Sequence, residues 1–166
     1  MRTSTNPIES ALGLFQQYKE LTEKAVAQLS NIELFNVPES ESNSIAVIMK
    51  HMSGNMLSRF TDFLTSDGEK PWRNRDGEFE IDSMDKNALM EYWEKGWACL
   101  FHALEPLKEE DLKKTITIRN EPHSVLEAIN RSLTHLSYHA GQIVYVAKMY
   151  RSSEWKTLTI PKKKKM

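Results

Sequence analysis

The sequence predicts an all-α protein: an up-and-down four-helix bundle with one long crossover loop and room for a short β-hairpin before the last helix. Three observations carry this. Apolar residues recur at spacings of three and four in four separate stretches. Two of those stretches open on capping-box signatures. The longest connection, Thr65–Asp82, is polar, carries Asp67-Gly68 and Asp76-Gly77, and is bounded by helical patterns on both sides.

The first helix starts at Asn6-Pro7-Ile8-Glu9, with a capping asparagine, proline at the first helical position and glutamate three residues past the cap. Ile8, Ala11, Leu12, Phe15, Ala25 and Leu29 carry it to about Ser30. Pro38–Ser44 reads as a loop ending in cap-type residues. A second helix follows from about Ile45 to Leu64, with Ile45, Ile48, Met49, Met52, Met56, Phe60 and Phe63 on its apolar face. The third begins near Ser83–Asp85 and runs to Leu104, with Leu89, Trp93, Trp97 and Leu100 inward and Pro106 just beyond. Thr115–Ile118 alternates β-branched residues before Arg119-Asn120-Glu121-Pro122 and fits a hairpin strand. The fourth helix opens at Ser124-Val125-Leu126-Glu127 and reaches about Arg151 through Ile129, Leu136, Ala140, Ile143 and Ala147.

Composition excludes several function classes. With 22 basic and 23 acidic residues the formal charge is −1, so no whole-molecule field draws nucleic acid or anionic lipid. The single cysteine, Cys99, rules out an internal disulfide framework and a cysteine-based zinc ribbon. A chain of 166 residues is expected to form one domain over 1–166, with the four-lysine end (about 161–166) as a disordered basic tail. No apolar run reaches membrane-spanning length and Met1–Ser10 has no signal-type hydrophobic core, so a cytoplasmic location is expected.

The histidines carry the chemistry. His135 and His139 are four apart in the fourth helix, hence on one face and about 6 Å apart along its axis. That spacing lets two imidazoles reach one metal ion. His51 lies at the border of the second helix's apolar arc, in register with Asn55, Ser58 and Asp62. Arg131, His135, His139 and Gln142 form a matching stripe on the fourth helix. If the two stripes face each other, three imidazoles converge on one divalent ion per chain: zinc or nickel foremost, ferrous iron as the third option. His102 and His123 lie out of this register and are left outside the site.

Ser44-Ile45-Ala46-Val47-Ile48-Met49-Lys50-His51, followed far downstream by His135-Leu136-Ser137-Tyr138-His139-Ala140-Gly141-Gln142, resembles the DinB-like (damage-inducible) metalloprotein superfamily. The run from Arg59 to Leu64 and from Gly68 to Gly77 resembles a bacterial branch of it with no assigned function, related to bacillithiol-type S-transferases. The resemblance spans nearly the whole chain. It implies a four-helix bundle, a divalent metal on His51, His135 and His139, and a homodimer.

Four further residues enter as substrate-binding candidates. Arg59 falls inside the second helix's apolar arc. A guanidinium there needs either an acid from another element or a substrate carboxylate for its planar fork. Asn55 and Gln142 could orient ligands or substrate, or be structural. Trp72, a large ring among charges in the crossover loop, either docks over the metal cavity or pins the loop. Met49, Met52 and Met56 read as core filler, and Cys99 as a small buried hydrophobe with no base in register.

The expected function is that of a metal-dependent enzyme, foremost a low-molecular-weight-thiol S-transferase. Its partners would be a small-molecule thiol and an electrophile held under the crossover loop, with no protein nucleophile required. The alternative is a non-catalytic dimeric protein that binds a metal or small ligand during stress. Because a ligand imidazole must be neutral, a bound ion should depress the histidine pKa values. Metal-free protein is expected to be much less acid-sensitive than the loaded form.

Overall fold

The structure, a computed structural model, describes residues 5–80 and 84–161. The expected disordered tail, apart from Pro161, and Ser83 at the expected start of the third helix lie outside the described residues. Five α-helices and one two-stranded sheet follow in the order α1 (Pro7–Val26), α2 (Asn31–Phe35), α3 (Ile45–Phe60), α4 (Lys86–Leu104), β1 (Thr115–Ile118), β2 (Glu121–Ser124) and α5 (Val125–Arg151). This is the all-α DinB-like bundle with a short hairpin before the last helix. Among the described residues no helix is long and apolar enough to cross a membrane.

The helix starts follow local chemistry. Asn6 accepts from the backbone N–H groups of Ile8 and Glu9, Ser44 from Val47, and Asp85 from Ala88. Ser124 and Glu127 close a reciprocal capping box at the head of α5. Two helix ends differ from expectation. The first helix stops at Val26, and Ser30 begins a new short helix whose Glu33 completes a capping box. The second stops at Phe60 rather than Leu64, because Asp62 turns the chain through the left-handed region at φ 49°. Phe63 still enters the core, its ring 5.1 Å from that of Phe60. A turn thus satisfies the burial pattern that helical spacing also predicts.

α1 packs along α5 and α3 along α4, with α3 also meeting α5. The centre of the bundle is filled by Trp93, Trp97, Phe15 and the three methionines of α3, all fully buried. Truncating either tryptophan to alanine would cost about 3–5 kcal/mol. Gly96 sets the closeness of α3 and α4: a Cβ there would lie 2.9 Å from the Ser53 Cα. α3 is buried on nearly every side, which puts His51 against the core rather than in solvent.

The crossover loop is stitched down instead of hanging free. Ser58 and Arg59 of α3 both donate to the Gly68 carbonyl, at 2.9 and 2.8 Å. Lys50 donates to the carbonyls of Gly77 and Glu80, holding a 3₁₀ turn (Asp76–Phe79) against α3. Asp67 accepts from the backbone N–H groups of Glu69, Arg119 and Asn120, and so ties the loop to the tip of the hairpin. Arg119 and Asn120 both have positive φ, the geometry of a type I′ two-residue turn. These backbone hydrogen bonds hold the Asp67 carboxyl well below the usual carboxylate range, outweighing the upward push of burial.

Candidate metal centre

α3 presents His51 and α5 presents His135 and His139, one helical turn apart, across the seam between the two helices. One ring nitrogen from each of the three lies within 4.8 Å of the others. The Nε2 atoms of His51 and His135 are 3.2 Å apart. Two imidazole nitrogens on one tetrahedral ion would stand roughly 3.3 Å apart, so this pair already has ligand spacing.

The remaining ring nitrogens decide the tautomers. His51 Nδ1–H donates to Glu78 Oε2 at 2.8 Å, which turns its Nε2 lone pair toward His135. His139 Nδ1–H donates to Gln142 Oε1 at 2.7 Å, leaving its Nε2 as an acceptor. That Nε2 is buried and has no hydrogen-bond partner among the described residues. A buried lone pair with no donor is costly, and a cation is the partner that satisfies it. A carboxylate behind one ligand and an amide behind another are the outer supports that metal-binding histidines take. The residues fit a divalent ion.

Protonation favours the same role. Burial first, then positive charge on His139 and His51, lowers the His135 imidazole to about 3. Burial also lowers His139, to about 4, against the opposing pull of its bond to Gln142. Both rings are therefore neutral and ready to ligate near pH 7. Burial between α3 and α5 thus lowers both pKa values before any ion is bound.

Glu78 and Arg73 complete the support, and neither was legible as a site residue in the sequence. Arg73 grips Glu78 in a two-pronged pair, Nε to Oε1 at 2.7 Å and Nη2 to Oε2 at 2.9 Å. Their side chains are only 3 % and 5 % exposed, so this is a desolvated pair whose disruption would cost about 3–5 kcal/mol. Burial raises the Glu78 carboxyl, but the bonds from His51 and Arg73 outweigh it and keep it ionised. Gly54 makes room: a Cβ at that position would fall 2.2 Å from Glu78 Oε1. Phe79 covers His51 with ring centroids 5.0 Å apart, and Tyr138 stands against His135 and His139 at 5.3 and 4.2 Å.

The four substrate-binding candidates separate. Asn55 and Arg59 line a cavity of about 240 Å³ that His135 and Tyr138 also border. Gln142 positions His139. Trp72 is 57 % exposed and lines a different cavity with Arg73, Glu78 and Tyr92, one that none of the three imidazoles borders. The crossover loop supplies Glu78 behind His51. His102 is exposed and His123 sits on β2, both away from the cluster.

A family model described as a protein of unknown function, DUF1572, matches residues 2–164. No curated protein matches the sequence. Among solved structures, a conserved protein from Enterococcus faecalis is similar, with a TM-score of 0.66 at 17 % identity over 88 % of this chain and 98 % of that one. At that identity the likeness speaks for the fold.

Proposed function

The chain belongs to the DUF1572 family, and on that premise we propose that it is a divalent-metal-dependent enzyme whose reaction is S-transfer from a low-molecular-weight thiol. The observation that carries the reading is the convergence of three imidazoles with Glu78 hydrogen-bonded behind His51. His51, His135 and His139 would hold the ion, with zinc or nickel the best match to an all-nitrogen set. When bound, the ion supplies the Lewis acidity that keeps a thiol sulfur deprotonated at neutral pH. Glu78 and Gln142 fix the ring orientations, and Arg73 keeps Glu78 ionised so that His51 stays in the Nδ1–H tautomer. The exposed Tyr138, Tyr145 and Met149 lie on one face of α5 beside the site and would serve a homodimer, which light scattering would register as twice the chain mass.

The test begins with metal analysis of untagged protein, where about one divalent ion per chain is expected. Loaded protein is then mixed with a small thiol and a chromogenic aryl chloride. In the transfer a C–S bond forms and the C–Cl bond breaks, chloride leaves, and the thiol proton passes to solvent. Thiol consumption and chloride release should rise together and disappear in His139→Ala. Metal-loaded protein that binds the thiol but never consumes it with the electrophile would overturn the enzyme reading in favour of a non-catalytic binding protein.

A further inference from the structure

The cavity beside His135 has a charge balance that the metal reading does not use. Arg59 projects into it from α3 with its side chain only 11 % exposed. Its Nη1 donates to the Gly68 carbonyl, a neutral acceptor, and stands 3.7 Å from Glu69 Oε2, a loose ion pair. Glu69 is shared: Arg73 approaches it at 3.4 Å and Arg119 at 3.1 Å. Arg73 has its own partner in Glu78, so Glu69 is the one carboxylate left to serve both Arg59 and Arg119. Arg131, which also lines the cavity, has no ion pair or side-chain hydrogen bond among the described residues. Burial, with the positive charge of Arg73, Arg119 and Arg131 and against the pull of Glu69, lowers the Arg59 guanidinium to about 10. A buried arginine in surplus positive charge is costly unless an anion completes the site.

The rest of the lining selects the kind of anion. Ile118, from the hairpin that Asp67 clamps in place, and the ring of Tyr138 supply apolar walls. Asn55 adds an amide beside Arg59. A planar fork, a second guanidinium and hydrocarbon walls suit a carboxylate on a short carbon chain better than a fully hydrated phosphate. His135 borders the same cavity, so a molecule held by its carboxylate extends toward the histidine centre.

From this arrangement we infer that the Arg59–Arg131 cavity is a subsite for a small organic acid, bound by its carboxylate next to His135. Its role as the handle of a substrate rests on the metal-dependent reading above; the binding of the anion does not. Neither Glu78 nor His51 lines the subsite, so filling it leaves the hydrogen bond behind His51 intact.

The experiment is a titration of the full chain, with and without stoichiometric zinc, followed by backbone and methyl NMR. The probes are succinate, its neutral counterpart succinamide, and inorganic phosphate. Succinate should shift the Ile118 methyl signals and bind at millimolar or lower concentration in both forms. Binding should weaken at least tenfold in Arg59→Gln and about fivefold in Arg131→Gln. Arg131 is exposed, so that second variant remains folded if the first does not. Succinamide should not bind, and phosphate should bind at least tenfold more weakly than succinate. Equal binding of succinamide, equal binding of phosphate, no succinate binding, or unchanged succinate binding in Arg131→Gln would each overturn the subsite. Failure of zinc to bind while succinate does would overturn the metal reading and leave the subsite standing.

Discussion

Replacing Gly54 by alanine should loosen the histidine centre without touching a proposed ligand. The new methyl would sit 2.2 Å from Glu78 Oε1 and 2.7 Å from its Cδ. Ordinary contact would require the carboxylate to retreat by roughly 1 Å. Glu78 is held at 2.7 and 2.9 Å by Arg73 and at 2.8 Å by His51, and a retreat of that size takes at least one of these out of hydrogen-bond range. A buried charge-assisted bond is worth about 1.5–3 kcal/mol, and alanine's better helix propensity returns up to about 1 kcal/mol. A net destabilisation of about 1–2 kcal/mol follows, with metal affinity lowered about 10–100-fold because His51 loses its orienting partner. Urea unfolding and a zinc competition titration against a chelating dye would measure both. Gly13→Ala is the control: nothing lies within 4 Å of its Cβ, so it should gain about 0.5–1 kcal/mol from propensity alone. If Gly54→Ala matches the parent in urea midpoint and zinc affinity, Glu78 is not the support described above.

Three further outcomes are expected. His135 and His139 have folded pKa values of about 3 and 4. Depressed values favour the fold above the unfolded pKa near 6.5, and that stability is lost as pH falls from there toward the folded values. From pH 7 to 5 the loss is roughly 2 kcal/mol for His135 and less for His139, which is partly screened by solvent. Melting curves of metal-free protein should show it, and a flat Tm over that range would sink the burial argument. His135→Ala and His139→Ala should each remove most of the bound metal while His102→Ala retains it; plasma emission spectrometry on dialysed protein decides. Asp67→Ala should release the hairpin tip from the crossover loop, read as faster hydrogen exchange at Arg119 and Asn120 with α4 unaffected.

Much of the bundle follows from local chemistry that a linear reading can see. Asn6, Ser44, Asp85 and Ser124 cap where their side chains can reach the first free N–H groups, and the apolar stripes of α3, α4 and α5 bury the residues their spacing selects. His135 and His139 belong together because one helical turn separates them, whatever the rest of the chain does. The Ser30–Glu33 box is also present in the sequence, but the apolar pattern carries the first helix to about Ser30 and does not anticipate the short α2 after it. Pairing His51 with the other two was legible only conditionally, since it depends on which helix faces meet. Glu78 and Arg73 were not legible at all. They sit in a loop with no periodicity, and what makes them matter is a 3₁₀ turn pinned by Lys50 and a gap left by Gly54. The placement of Trp72 and the surplus of guanidinium groups around Glu69 have the same origin. Helix periodicity and capping are short-range, so sequence alone determines them. The burial of a charge and the identity of its partner depend on segments brought together from far along the chain, and only tertiary packing decides those.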